Sequence, residues 1–80
     1  MTSHRTLYIA KRLGRNLQSA RSSRGMRQAD VAERMRIEPS QYARLERGEH
    51  ESGVVKYLDA YWAIGMTPDE FFHRLEQRVP

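Results

Sequence analysis

Within residues 39–47, PSQYARLER, the polar side chains Ser40, Gln41, Arg44 and Arg47 recur at steps that bring them to one outer side of a helix. Tyr42 and Leu45 fall on the opposite, inner side. A serine hydroxyl and a glutamine amide each donate and accept hydrogen bonds, and the arginine fork matches the O6/N7 edge of guanine or a phosphate. Such a set recognises an ordered polar surface rather than breaking bonds. Arg44 is a guanine reader, a phosphate grip or a solvated helix arginine. Ser40 and Gln41 are either DNA contacts or ordinary exposed polar residues.

Other chemistry finds no residues to carry it. The chain has no Cys, which removes disulfides and thiolate metal ligands and suits a reducing compartment. His4, His50 and His73 are far apart, with no pair at helical spacing for a zinc ion. The acidic pair Asp69/Glu70 is explained by helix capping. No glycine loop cradles a phosphate, and no nucleophile stands beside a base. The sequence therefore predicts no enzyme, no metal, no cofactor and no small-molecule ligand. No apolar run reaches the roughly 20 residues of a membrane span, and the first twelve residues lack a signal-peptide core. A cytoplasmic protein with no membrane partner is expected.

Charge points to a polyanion. Residues 1–48 hold 11 Lys/Arg against 4 Asp/Glu, net +7, and residues 49–80 hold 3 against 6, net −3. Twelve of the fourteen basic residues are Arg. A basic front and an acidic back fit nucleic acid on one side. The same numbers also describe a solvated basic surface.

The elements that must position the reading residues are all helical. Leu7, Ala10, Leu13, Leu17 and Ala20 make one apolar stripe, which predicts a first helix over 6–23, capped by Thr6 or Ser3 and stopped by Gly25, with residues 1–5 frayed. Tyr8 and Ile9 lie off that stripe. A second helix over 28–35 buries Val31, Ala32 and Met35, and Asp30 in its first turn suits the helix dipole. Residues 36–38 make the turn, with Ile37 as an apolar plug. Pro39 opens the third helix, since a first-turn proline gives up no hydrogen bond, and Gly48 ends it. Residues 49–53 are a loop. A fourth helix over 54–64 turns Val54, Tyr57, Leu58, Tyr61 and Ile64 to the core. Thr67, Pro68 and Glu70 form a capping box for a fifth helix over 68–78, within a C-terminal helical segment 68–80. The fold class expected is all-α, a compact five-helix domain spanning 1–80, too short to hold a separate ligand-sensing unit.

Residues 13–71 resemble the helix-turn-helix domain of the phage-repressor and Cro-like (XRE) family. The resemblance is carried by Leu13, Leu17, Arg21, Gly25, Gln28, Val31, Ala32 and Ile37, by Arg44-Leu45-Glu46-Arg47-Gly48, and by Gly65-Met66-Thr67-Pro68-Asp69-Glu70-Phe71. It implies a repressor-like DNA-binding domain whose second and third helices form the helix-turn-helix. Pro39, Ser40 and Arg44 would then face bases, with Pro39 offering only an apolar contact such as a thymine methyl; Gln41 joins them as a base-contact candidate from its place on the same outer face. Gln28 and Arg47 would contact phosphates, and Arg27, beside Gln28, is a further phosphate-contact candidate. Arg21 and Glu46 match an ion pair between the first and third helices, and Phe71 a core position. Four positions depart from the pattern besides Pro39. Arg36 stands where the turn takes Gly, at about 1 kcal/mol if its backbone is left-handed. Arg27 and Glu38 stand at the two N-caps, and Tyr42 replaces an aliphatic residue.

Two aromatic sets remain. Tyr57 and Trp62 could stack on single-stranded bases, although Tyr57 lies on the core stripe. Phe72, Leu75 and Val79 form a second apolar edge that, with Trp62 and Met66, makes a two-fold dimer contact, unless the fifth helix folds back and hides them. The expected function is a sequence-specific transcriptional regulator of double-stranded DNA, a homodimer on a palindromic operator acting as repressor or autoregulator. The alternatives are an antitoxin, with a toxin protein as its partner, and a protein-interaction adaptor.

Overall fold

The structure is a computed structural model that describes residues 4–49 and 53–75. It contains five helices: α1 (His4–Ser23), α2 (Gln28–Met35), α3 (Pro39–Arg47), α4 (Val54–Ile64) and α5 (Pro68–Phe71). Among the described residues there is no strand, and no helix is long and apolar enough to cross a membrane. α1 is the central element: α3, α4 and α5 all pack on it, and α2 packs on α3 and α4.

The core is built from Leu13 and Leu17 of α1, Val31 and Ala32 of α2, Tyr42 and Leu45 of α3, Tyr57, Ala60 and Ile64 of α4, and Phe71. The stripe of α1 starts one turn later than its spacing suggested: Ala10 is buried, while Leu7 is 40 % exposed. α1 also begins earlier, at His4, so Thr6 lies inside the helix, and Ser3 is outside the described residues. Val54 is 56 % exposed, because it sits in the first turn of α4 before that helix reaches the core, and Ala60 takes the buried place instead. Ile9, off the main stripe, still packs partly against the core.

Helix α1 has a glycine at its closest crossing. A Cβ on Gly14 would lie 2.3 Å from the Glu46 carbonyl oxygen and 2.5 Å from that of Leu45. The missing side chain lets α3 lie directly on the backbone of α1.

The turn between α2 and α3 bends at Arg36, whose φ of 60° and ψ of 43° are left-handed. The Ile37 N–H reaches the Ala32 carbonyl at 3.0 Å and the Arg36 N–H reaches Glu33 at 3.1 Å, which closes a Schellman turn. Ile37 then packs partly against the core, and this burial offsets the roughly 1 kcal/mol cost of a non-glycine at that φ.

α5 is one turn, not the helix over 68–78 expected from its apolar spacing. Its start is as the capping box requires: Glu70 Oε1 accepts from the Thr67 N–H at 2.8 Å, and Thr67 Oγ1 accepts from the Glu70 N–H at 3.2 Å. Its end is decided from outside. The Asn16 side chain, buried on α1, donates to the carbonyls of Phe71 at 2.8 Å and His73 at 2.9 Å. Arg74 turns left-handed at φ 55°, and the Tyr8 hydroxyl donates to its carbonyl at 3.4 Å. The chain is thereby drawn back along α1, and Leu75 packs partly on the core.

Arg24 fastens this corner. Its guanidinium donates to both Glu70 oxygens at 2.8 and 2.9 Å and to the carbonyls of Gly65 at 2.9 Å and Ala20 at 3.1 Å. The Arg24 hydrogen bonds, with the Thr67 N–H, hold the Glu70 carboxyl down at about 2.

Two outcomes follow. Gly14→Ala lowers the urea midpoint by about 1–3 kcal/mol of stability through overpacking, whereas helix propensity alone would raise it by about 0.5–1 kcal/mol; a stabilised variant refutes the close crossing. Glu70 binds a proton less readily folded than unfolded, so its contribution is present above the unfolded value of 4.5 and fades as pH falls toward about 2. Thermal melts across that window therefore show a falling Tm whose slope is shallower in Glu70→Gln.

Candidate nucleic-acid interface

The outer face of α3 is open. Pro39, Ser40, Gln41, Arg44 and Arg47 are all exposed, while Tyr42, Leu45 and Glu46 are buried beneath them. Ser40 and Arg44 make no hydrogen bond or ion pair among the described residues. Gln41 is half committed: its Oε1 accepts the Glu38 N–H at 2.9 Å, capping α3 and leaving its Nε2 to face outward. Arg47 pairs with Glu49 through Nε at 2.6 Å.

Beneath that face lies a polar cluster. Glu46 Oε2 accepts from Arg21 Nε at 2.6 Å, and Oε1 accepts from Arg21 Nη2 at 3.2 Å and from Gln28 Nε2 at 2.9 Å. Arg21 Nη1 also donates to the Met26 carbonyl at 2.8 Å. One carboxylate thus joins α1, the first residue of α2, and α3. The side chains of Arg21 and Glu46 are 13 % and 4 % exposed. Burial alone would raise the Glu46 pKa, but the hydrogen bonds from Arg21 and Gln28 and the nearby Tyr42 hydroxyl outweigh it, and the carboxyl stays below its ordinary value. That hydroxyl is buried without hydrogen-bond geometry to a partner; burial first, then the Glu46 charge, push its ionisation above the usual tyrosine value.

The start of α2 completes this side. Arg27 is exposed and pairs with Asp30 at 3.0 Å, and Asp30 Oδ2 accepts the Arg27 N–H at 2.7 Å. Asp30 thus satisfies the Arg27 N–H from inside the first turn, although Arg27, lacking an acceptor, caps no helix N–H with its own side chain. Gln28, half-buried, projects its amide to Glu46.

The residues assigned to a dimer contact do not stay together. Trp62 is 67 % and Phe72 is 58 % exposed, but Met66 is only 7 % exposed and belongs to the core. The reason is the turn after α4: the Met66 N–H reaches the Tyr61 carbonyl at 3.0 Å past a left-handed Gly65, which folds the Met66 side chain inward. Leu75 is half-buried against the core, and Val79 lies outside the described residues. Tyr57 is buried, not a stacking platform. Trp62 and Phe72 are the outer ends of a ring ladder through Tyr61 and Phe71, with centroid separations of 5.8, 5.2 and 5.1 Å.

Sequence reasoning passed over Gly14, Asn16 and Arg24. Gly14 carried a signal, since a lone glycine inside a helical pattern commonly marks close packing. Asn16 sits between Leu13 and Leu17 on the buried side, a polar residue needing a partner. Arg24 carried none, because its partners are distant in sequence. Among the described residues no group of side chains is arranged to hold a metal ion.

A family model described as a helix-turn-helix domain matches residues 12–71. Among solved structures, the restriction-modification controller protein C.AhdI from Aeromonas hydrophila, a high-resolution crystal structure, superposes with a TM-score of 0.68 at 26 % identity, covering 81 % of this chain and 97 % of its own. No curated protein matches the chain.

Arg21→Ala removes two of the three donors to a buried carboxylate. A loss of about 3–5 kcal/mol is expected by chemical denaturation. Wild-type stability in that variant would mean that water replaces the pair.

Proposed function

The chain belongs to the helix-turn-helix family, of the phage-repressor and Cro-like (XRE) type, and is a DNA-binding transcriptional regulator; we propose that it acts as a sequence-specific dimeric repressor or autoregulator on a palindromic operator. The observation that carries this reading is the pairing of an open α3 face, with Ser40 and Arg44 unpartnered, and a buried Glu46 cluster that holds that face against α1 and α2. α3 enters the major groove. Arg44 takes a guanine edge, Ser40 and the Gln41 Nε2 take hydrogen-bonding positions beside it, and Pro39 meets an apolar methyl. Gln28, Arg27 and Arg47 meet phosphates, the two arginines exchanging Asp30 and Glu49 for the backbone. Phosphate contacts supply much of the affinity, so binding weakens steeply with salt.

Dimerisation is proposed through the exposed Trp62 and Phe72, with Leu75 at the border. Two large rings left exposed favour a protein partner. A second copy suits a palindromic site. Likeness to a restriction-modification controller protein supports a regulator of that kind. The same rings would serve an antitoxin that meets a toxin, and that reading predicts a monomer until the toxin is present.

Gel shifts on the DNA upstream of the gene test the reading. Arg44→Ala loses about 1–3 kcal/mol of discrimination between operator and unrelated DNA, while Arg47→Ala weakens both equally. Light scattering gives a dimer for the wild type and a monomer for Trp62→Ser with Phe72→Ser. Sequence-blind binding that Arg44→Ala leaves unchanged removes α3 as the reader.

A further inference from the structure

Helix α1 runs for twenty residues without one Asp or Glu. It carries Arg5, Lys11, Arg12, Arg15 and Arg21. Of these, Lys11, Arg12 and Arg15 stand with Tyr8 at steps of three and four and line one groove with it, of about 200 Å³. Lys11, Arg12 and Arg15 make no hydrogen bond or ion pair among the described residues. The Arg12 Nε is buried with no partner. Four arginines elsewhere have carboxylate partners: Arg21 with Glu46, Arg24 with Glu70, Arg27 with Asp30 and Arg47 with Glu49. The groove thus gathers three cations with no direct ion pair; the nearest carboxylate, Glu49, is taken by Arg47 and feels Lys11 only through space, and Lys11 and Arg15, four apart on one helix, repel each other.

The groove is separate from the reading face. It borders the far end of α3, where a Cβ on Gly48 would lie 2.7 Å from the Lys11 backbone. Pro39 and Ser40 begin the other end of that helix, roughly 12 Å away along its axis. The family match starts at residue 12, so the turn holding Tyr8 and Lys11 lies ahead of it.

We propose that this groove is a second contact for the phosphodiester backbone of DNA. Arg12 and Arg15 offer forks to phosphate oxygens, Lys11 adds a point charge, and the Tyr8 hydroxyl, held only by a 3.4 Å bond to the Arg74 carbonyl, can turn to the same anion. A protein partner fits less well, since interface cores are apolar and depleted in lysine, whereas the single ring here is Tyr8. The phosphate comes from the flank of the bound operator or from a second duplex. The inference rests on the DNA-binding reading only in that a duplex is the ligand.

The test compares the full-length wild type with Lys11→Gln/Arg12→Gln/Arg15→Gln by fluorescence anisotropy across a salt series. One duplex just spans the palindrome, about 20 base pairs; a second adds flanks. The log K against log salt slope becomes shallower by about 2 to 3 in the triple variant. If the flank is the source, that change appears only on the longer duplex. If a second duplex is the source, the slope changes on neither, and the variant instead loses capture of a labelled duplex by immobilised DNA. The exposed single variant Arg15→Gln, which leaves folding untouched, shifts the same readout by about 0.9, and Arg12→Lys/Arg15→Lys keeps it. Unchanged slopes together with unchanged capture overturn the proposal. Repeating the series on Ser40→Ala/Arg44→Ala, with and without the triple substitution, separates the two readings: loss of sequence preference there belongs to α3, and the part of the remaining salt slope that the triple substitution removes belongs to the groove.

Discussion

The buried Glu46 carboxylate is the interaction on which the arrangement of the first three helices depends. A lone carboxylate in that position would cost several kcal/mol of desolvation. It is tolerated because N–H donors from α1 and α2 converge on it. The requirement runs in both directions: α1 must present Arg21, α2 must present Gln28, and α3 must lie close enough to receive both. Gly14 meets the last condition, since any larger residue would strike the Leu45 and Glu46 carbonyls. The angle at which α3 is displayed is therefore set by a polar contact and a steric one acting on the same turn.

That scaffold leaves the outer face of α3 with unequal freedom. Ser40 and Arg44 are uncommitted, whereas Gln41 closes the cap of its own helix and Arg47 is matched to Glu49. Arg36 shows a related trade. A left-handed arginine is strained, yet the turn it makes drops Ile37 against the core and lets Pro39 start α3 two residues later. An arginine there also keeps a cation beside the reading helix, which glycine could not.

Charge and aromatic surface divide the molecule into distinct faces. Arginines that brace the fold have carboxylate partners, as Arg24 does with Glu70. The stripe of Lys11, Arg12 and Arg15 makes no ion pair among the described residues, and the carboxylate nearest to it, Glu49, is paired with Arg47. The ring ladder from Trp62 to Phe72 runs through half-buried Tyr61 and buried Phe71, so its two exposed ends rest on packed neighbours rather than hanging free.

Helix starts and stops were legible in the residue order because they are local. Pro39 and Gly48 bound α3, Gly65 ends α4, and Thr67 with Glu70 opens α5 through bonds spanning three residues. The helix-turn-helix pattern and its buried faces followed from the same short-range periodicity. What tertiary structure alone decided involves partners far along the chain. Asn16, 55 residues from Phe71, ends α5 after one turn despite apolar spacing that would have continued it. The turn at Gly65 buries Met66, which periodicity had placed on an outer edge. Glu46 engages Gln28 across 18 residues. Local sequence specifies which residues can cap, turn or face inward, because those bonds close within one helical turn. Which polar group finally receives which donor depends on how helices cross, and that crossing exists only once the core around Leu17, Val31 and Leu45 has formed.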